Sequence, residues 1–137
     1  NKAYIVGGSD SVSSLGYKAV KSVPGVASLS RLSGADRYAT NVEVINEFYQ
    51  HDGNASPAAE GAIFASGANQ YLVDAQTSGA YAAFKKAPIV LAGSKMTADQ
   101  ASLFKKNAAL DGKKAVVQVG GVVAADFMKA VVEKLGL

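Results

Sequence analysis

The chain contains no cysteine and a single histidine, His51. Without thiols there is no disulfide, no thiolate nucleophile and no Cys-based zinc site, although the lack says little about compartment, because many exported bacterial proteins have no cysteine either. One imidazole leaves a catalytic triad or a multi-histidine metal site without a second partner, and its setting in HDGNASP reads as a solvated loop. Carboxylates are scattered, and Asp36, Asp74, Asp99 and Asp126 form no acid/base pair by spacing. No visible constellation supports catalysis, and no cofactor is expected. Long apolar runs are also missing, none approaching the roughly 18 residues that would span a bilayer, so no membrane insertion is expected. NKAYIVGG has neither the charged region nor the cleavage site of a signal peptide. The chain reads as soluble, either a mature protein or a piece of a longer one.

What is present fits one compact domain over 1–137, since 137 residues with 49% hydrophobic and 18% charged side chains can bury one sizeable core. Fourteen Lys and Arg against eleven Asp and Glu leave a charge of +3. That mild excess permits an anionic partner but is not the dense patch of a nucleic-acid binder.

One theme repeats five times: a short apolar run, a Gly or Ser break, then helical spacing. The runs are Tyr4 to Val6, Val26 to Leu32, Ala62 to Ala65, Ile89 to Ala92 and Ala115 to Val119. Most are unbroken, as in strands covered on both faces. VASLSRL alternates instead and reads as an edge strand. After Asp36, a good N-cap, Tyr38, Val42, Ile45 and Tyr49 share a helical face. TADQ has the form of a capping box and is expected to begin a helix carrying Leu103 and Phe104, and Phe127, Val131 and Leu135 repeat at helical spacing before Gly136. The alanine-rich stretch from Tyr71 to Lys86 is expected as one largely buried helix, with Pro88 opening the next strand. Alternating βα units predict a three-layer αβα fold with a mostly parallel sheet of about five strands, flavodoxin- or Rossmann-like.

A faint echo runs through the chain. YIVGG at 4–8 and VQVGG at 117–121 both lead from a strand into paired glycines, and both precede a helix containing KAV, at 18–20 and 129–131. A repeat entered near its end would give this pattern. The glycine pairs lack the full GxGxxG and have no following Lys-Ser or Lys-Thr, so a tight βα turn competes with a phosphate cradle there. FASGANQ similarly lacks the GxSxG of a nucleophile elbow.

The stretch LSRLSGADRYATN places Arg31 and Arg37 on either side of a turn from strand to helix, with Asp36 at the cap. Ligands of open α/β sheets sit at such edges. The guanidinium groups are candidates for holding phosphate or carboxylate bidentately, while a purely scaffolding role stands beside that reading.

RLSGADRYATN resembles the signature of the cell wall binding repeat type 2 family, Arg-x-x-Gly-x-Asp-Arg-Tyr-x-Thr, with Arg31, Gly34, Asp36, Arg37, Tyr38 and Thr40 at every specified position. GAIFASGANQYLVDAQTSGAYA is similar to the family's second segment through Ser66, Gly67, Asn69, Asp74 and Ser78, while APIVLAG and VVQVGG resemble its later strands. Gln70 with Tyr71, and Ala75 with Gln76, depart from the family's usual residues, as does Val90 more mildly. The resemblance covers 26–137, and residues 3–25 look like the last βα unit of a preceding repeat.

It implies a non-catalytic module of exported Gram-positive proteins, such as surface-layer proteins and adhesins, that binds an anionic cell-wall polysaccharide. The same resemblance implies association with sister repeats or as a homo-oligomer, a trimer among the forms. The expected polymer-binding residues are Arg31, Asp36, Arg37, Tyr38, Thr40, Ser66, Asn69, Asp74, Lys85 and Lys86. Alternatives are a flavodoxin-like domain for a nucleotide or other small ligand, a wall-acting enzyme whose catalytic unit lies elsewhere, and a structural repeat acting mainly in self-association.

Overall fold

The computed structural model describes residues 1–49, 58–113 and 115–137; His51 and its loop lie outside them. In chain order the elements are β1 (Lys2–Val6), α1 (Ser14–Lys21), β2 (Ser28–Leu32), α2 (Arg37–Phe48), β3 (Ala62–Ser66), α3 (Leu72–Thr77), α4 (Gly79–Phe84), β4 (Ile89–Ala92), α5 (Ala98–Ser102), β5 (Val116–Val119) and α6 (Ala125–Leu135), with a 3-10 turn at Asn69–Tyr71.

The five strands expected from the apolar runs all form, and every pairing is parallel. They divide into two ladders, β1-β2 and β4-β3-β5. β3 is buried along its whole length, as an unbroken apolar central strand should be. Its residues alternate between two packed layers. Phe64 joins Val42 and Ile45 of α2, Leu103 and Phe104 beyond α5, and Phe127, Val131 and Leu135 of α6. Ile63, facing the other way, packs with Ala82 of α4, Ala87, Ile89 and Val117. Helices therefore cover both faces of the larger sheet, the three-layer αβα arrangement. Full burial of side chains such as Phe64 and Phe127 is worth about 1.5–3 kcal/mol each.

The helix starts follow their signals. Asp36 Oδ1 accepts the Ala39 amide at 2.8 Å, and Thr97 with Gln100 forms the capping box. The stretch from Tyr71 to Lys86 differs from expectation, being two short helices separated at Ser78, whose Oγ donates to the Asp74 carbonyl at 2.5 Å. A hydroxyl turned back on its own helix followed by a glycine weakens continuation. Only Ser78 and Ala82 are buried there, and Tyr81 and Phe84 are exposed, because alanine-rich composition supplies apolar character without the bulk that forces burial.

Candidate functional site

The chain leaves β2 at Leu32 and enters α2 at Arg37. Besides the Asp36 cap, Thr40 Oγ1 accepts the Gly34 amide at 3.0 Å. Gly34 lies so close to the first helical turn that a Cβ there would overlap Ala39 and crowd the Thr40 amide. Glycine is required by proximity, and the short turn aims the two flanking arginines in different directions.

Arg31 reaches back to the β1–α1 loop. Its Nη1 donates to the carbonyls of Gly7 at 2.6 Å and Gly8 at 3.1 Å, and its Nη2 donates to that of Val12 at 2.9 Å. The Tyr17 ring lies beneath the guanidinium at 5.5 Å. The loop's own amides turn inward: Gly7 donates to Leu32, while Ser11 and Val12 both donate to Gly8. These donors serve a tight βα connection, the structural alternative to a phosphate cradle.

Arg37 reaches forward to the larger sheet, Nη1 donating to the Gly67 carbonyl at 2.8 Å just beyond β3. Tyr38 follows it. A Cβ on Gly67 would overlap the Tyr38 ring, and one on Gly93 would touch it at 3.5 Å, so glycines at the ends of β3 and β4 form the seat of this ring. The signature thus welds α2 to the carboxyl ends of strands in both ladders.

The remaining expected residues are dispersed. Ser66 is buried and its Oγ accepts the Ala68 amide at 3.3 Å; Asn69 is exposed in the 3-10 turn. Asp74 presses against Gly120, where the backbone has φ +84° and a Cβ would overlap the carboxylate. Lys85 and Lys86 lie just before β4, at the opposite end of the strands from Arg37. Lys86 pairs with Glu60 at 2.8 Å, and Lys85 sits beside the Tyr81 and Phe84 rings at 5.8 and 5.3 Å. The fold does not bring these lysines to the arginine corner.

Between the β1–α1 loop, the β2–α2 turn and β4 lies a cleft of about 700 Å³. Asp10, Ser11, Asp36, Arg37, Thr40 and Asn41 are among its polar lining residues. Arg37 is its single cationic lining residue among the described residues.

Two residues that composition and spacing passed over hold the edge of β4. Asn41 donates through Nδ2 to the Ile89 carbonyl at 2.9 Å and accepts the Leu91 amide on Oδ1 at 3.0 Å. Gln100, fully buried, donates to the Leu91 carbonyl at 2.6 Å. The only sequence signals were that Asn41 sits one helical turn after Arg37 and that Gln100 completes the capping box.

The fold and this junction define a three-layer parallel α/β module held together by its strand-to-helix turn. The cell wall binding domain 2 (CWB2) model matches residues 31–126, and the chain belongs to that family, a cell-wall-binding module of surface proteins. Among solved structures it is similar to Cwp8 from Clostridium difficile, with 33% identity and a TM-score of 0.82 over 98% of this chain. The chain spans 22% of that protein's chain. No curated protein matches it.

Proposed function

We propose that the module is a non-catalytic binder of an anionic cell-wall polysaccharide, anchoring a secreted protein to the wall noncovalently. The observation carrying this reading is Arg37, exposed at a cleft whose other polar groups are carboxylates, hydroxyls and an amide. Such a lining suits a glycan: hydroxyls can donate to Asp10 and Asp36, while a phosphate or carboxylate on the polymer engages the guanidinium. Asn69, in the turn beyond Gly67, extends the surface. Arg31, Tyr38 and Thr40 contribute by holding the elements that line the cleft, whereas Ser66 and Asp74 hold the turns beyond β3 and β5. Lys85 and Lys86 offer a separate cationic contact at the far end of the strands, where Tyr81 and Phe84 give a sugar ring apolar faces.

The non-catalytic reading is supported by where the carboxylates stand. Asp36 caps α2, and Asp74, Asp99 and Asp126 occupy the first turns of three other helices, where they favour the helix dipole. Each exposed charge pair is worth only about 0–1 kcal/mol, so firm attachment needs many modules acting together.

Arg37→Ala is expected to reduce retention on purified walls roughly two- to fivefold, the equivalent of about 1 kcal/mol or less, with the fold retained by circular dichroism. Walls stripped of anionic secondary polymers should hold neither protein. Equal retention of the parent protein on stripped and intact walls would overturn the reading.

A further inference from the structure

A second cavity, of about 300 Å³, lies at the amino end of the larger sheet, on the side of Ile63 and α4. Its walls are small or apolar: Ala62, Ile63, Ala87, Ala115 and Val117. Glu60, Tyr81 and Lys85 supply the polar groups of the lining, and all three are exposed. No lining residue is shared with the cleft at Arg37. The volume is at the lower end for small-ligand sites and has room for about one sugar ring.

Gly61 borders this cavity and is buried. A Cβ there would overlap the Ala115 carbonyl oxygen, so only glycine fits. Ile63 donates to the Pro88 carbonyl; continued two residues back, the same parallel register would have Gly61 donate to Lys86 and accept from Pro88. Neither bond forms. The Lys86 carbonyl is taken by the Glu60 amide at 3.0 Å, and proline has no N–H to give. Among the described residues no hydrogen bond reaches the amide or the carbonyl of Gly61. A buried peptide with both groups unpaired is uncommon and costly, and here it stands where the donor and acceptor of a ligand can meet it.

The mouth of the cavity is set by an unusual backbone. Lys86 has φ 45°, a left-handed conformation that lysine rarely adopts. Glu60 holds it at two points, through the amide bond to its carbonyl and by accepting its Nζ on Oε1 at 2.8 Å. The Glu60 carboxylate is thereby spent on Lys86. Lys85, the next residue back, has no carboxylate partner among the described residues, and its ammonium stands 5.8 and 5.3 Å from the Tyr81 and Phe84 rings. The mouth thus carries one unbalanced positive charge beside two exposed aromatic faces.

A ligand suited to these features has one N–H and one C=O beside a small apolar group, a ring whose C–H face can lie on an aromatic, and no positive charge. An acetamido sugar has them all, because its N-acetyl group is a peptide unit ending in a methyl. We propose, resting on the reading above that this end of the strands meets a glycan, that the cavity is a subsite for an N-acetylated amino sugar of the wall. The acetamido group pairs with the amide and carbonyl of Gly61, its methyl lies against Ala87, Ala115 and Val117, and the sugar ring covers Tyr81. Lys85 makes the subsite selective: a deacetylated sugar loses the paired C=O and brings a second ammonium beside the first. A plain hexose leaves Gly61 unpaired. The cleft at Arg37 reads the negative charge of the wall, and this cavity reads its N-acetylation.

The full chain, isotope-labelled, is titrated with the trimer of N-acetylglucosamine, with its fully deacetylated counterpart and with cellotriose, and the amide resonances are followed. The acetylated trimer is expected to move the Gly61 amide proton downfield as its hydrogen bond forms, and to bind roughly tenfold or more tightly than either of the others. Tyr81→Ala, at an exposed position, should weaken that binding roughly fivefold to tenfold. Equal binding of cellotriose, or binding indifferent to Tyr81→Ala, overturns the proposal. If Tyr81→Ala does not fold, the decision passes to Lys85→Gln, which should narrow the gap between the acetylated and deacetylated trimers; an unchanged gap overturns the proposal. The acetylated trimer is uncharged, so its binding is independent of the anionic polymers. A trimer that leaves Gly61 unmoved, while the chain is still retained on intact walls and not on stripped ones, overturns the subsite alone and leaves the anionic-polymer reading standing.

Discussion

Arg31 and Arg37 stand six positions apart with the same side chain, yet their partners differ: one holds three carbonyls of the preceding loop, the other a carbonyl of the following strand. A guanidinium suits Arg31 because its donors spread in a fixed plane, and three carbonyls converging from one loop match that fork better than an ammonium could. Arg31→Ala should therefore lower unfolding stability by roughly 2–3 kcal/mol, the range for breaking hydrogen bonds to a charged group. Arg31→Lys should recover less than half of that in denaturant titration. Recovery of the full loss by lysine would mean that charge, not the fork, matters at this position. The motif's residue types were legible as a cap, a turn glycine and two cations. That the cations spend themselves on backbone carbonyls was not, since those carbonyls belong to residues distant in sequence.

Among elements, α2 is the keystone. Its amino end is fixed by Asp36, Tyr38 and Thr40, its apolar face by Val42 and Ile45, and its polar side by Asn41 on β4. Tyr38 needs the bare backbones of Gly67 and Gly93, so Gly67→Ala must displace either the ring or β3. The cost of such overpacking is about 1–3 kcal/mol, to be read from thermal unfolding; Gly79→Ala, where a Cβ meets open space, is the control and should not destabilise. The strands and α2 and α6 follow their periodicity closely because burial on a defined face is written into the spacing, whereas α5 ends at Ser102, before the Leu103 and Phe104 it was expected to carry. Between Tyr71 and Lys86 periodicity misleads, because alanine fits a buried or an exposed helix equally well and a single serine hydroxyl decides where the helix breaks.

At the scale of the molecule, the two ladders are joined through α2, and a cluster on its far end completes the join. Lys2 Nζ and the Tyr4 hydroxyl both donate to Glu47 Oε1, at 2.7 and 2.5 Å, while Tyr4 packs edge-on against Phe48 with centroids 4.9 Å apart. The bond from Lys2, then that from Tyr4, holds the Glu47 carboxyl below its ordinary value of 4.5. A carboxylate favoured in the folded state contributes stability above its unfolded value and loses it as pH falls through the lowered folded one. Lys2, raised chiefly by its bond to Glu47, loses its share only in alkali beyond its ordinary 10.5. Glu47→Gln should accordingly flatten the fall in melting temperature below about pH 4.5 while leaving the β4-β3-β5 core intact by hydrogen exchange. An unchanged acid limb would show that the cluster carries no weight in joining the ladders.

The order of elements, the caps at Asp36 and Thr97 and the family signature were fixed locally, by residues acting on neighbours within a few turns of chain, and the sequence determined them alone. The tertiary structure decided which guanidinium meets which carbonyl, which sheet edge Asn41 and Gln100 close, and that Lys85 and Lys86 stand at the opposite end of the strands from Arg37. Those outcomes depend on how separate βα units are laid side by side, and a hydrogen bond between residues tens of positions apart leaves no period in the sequence from which to read it.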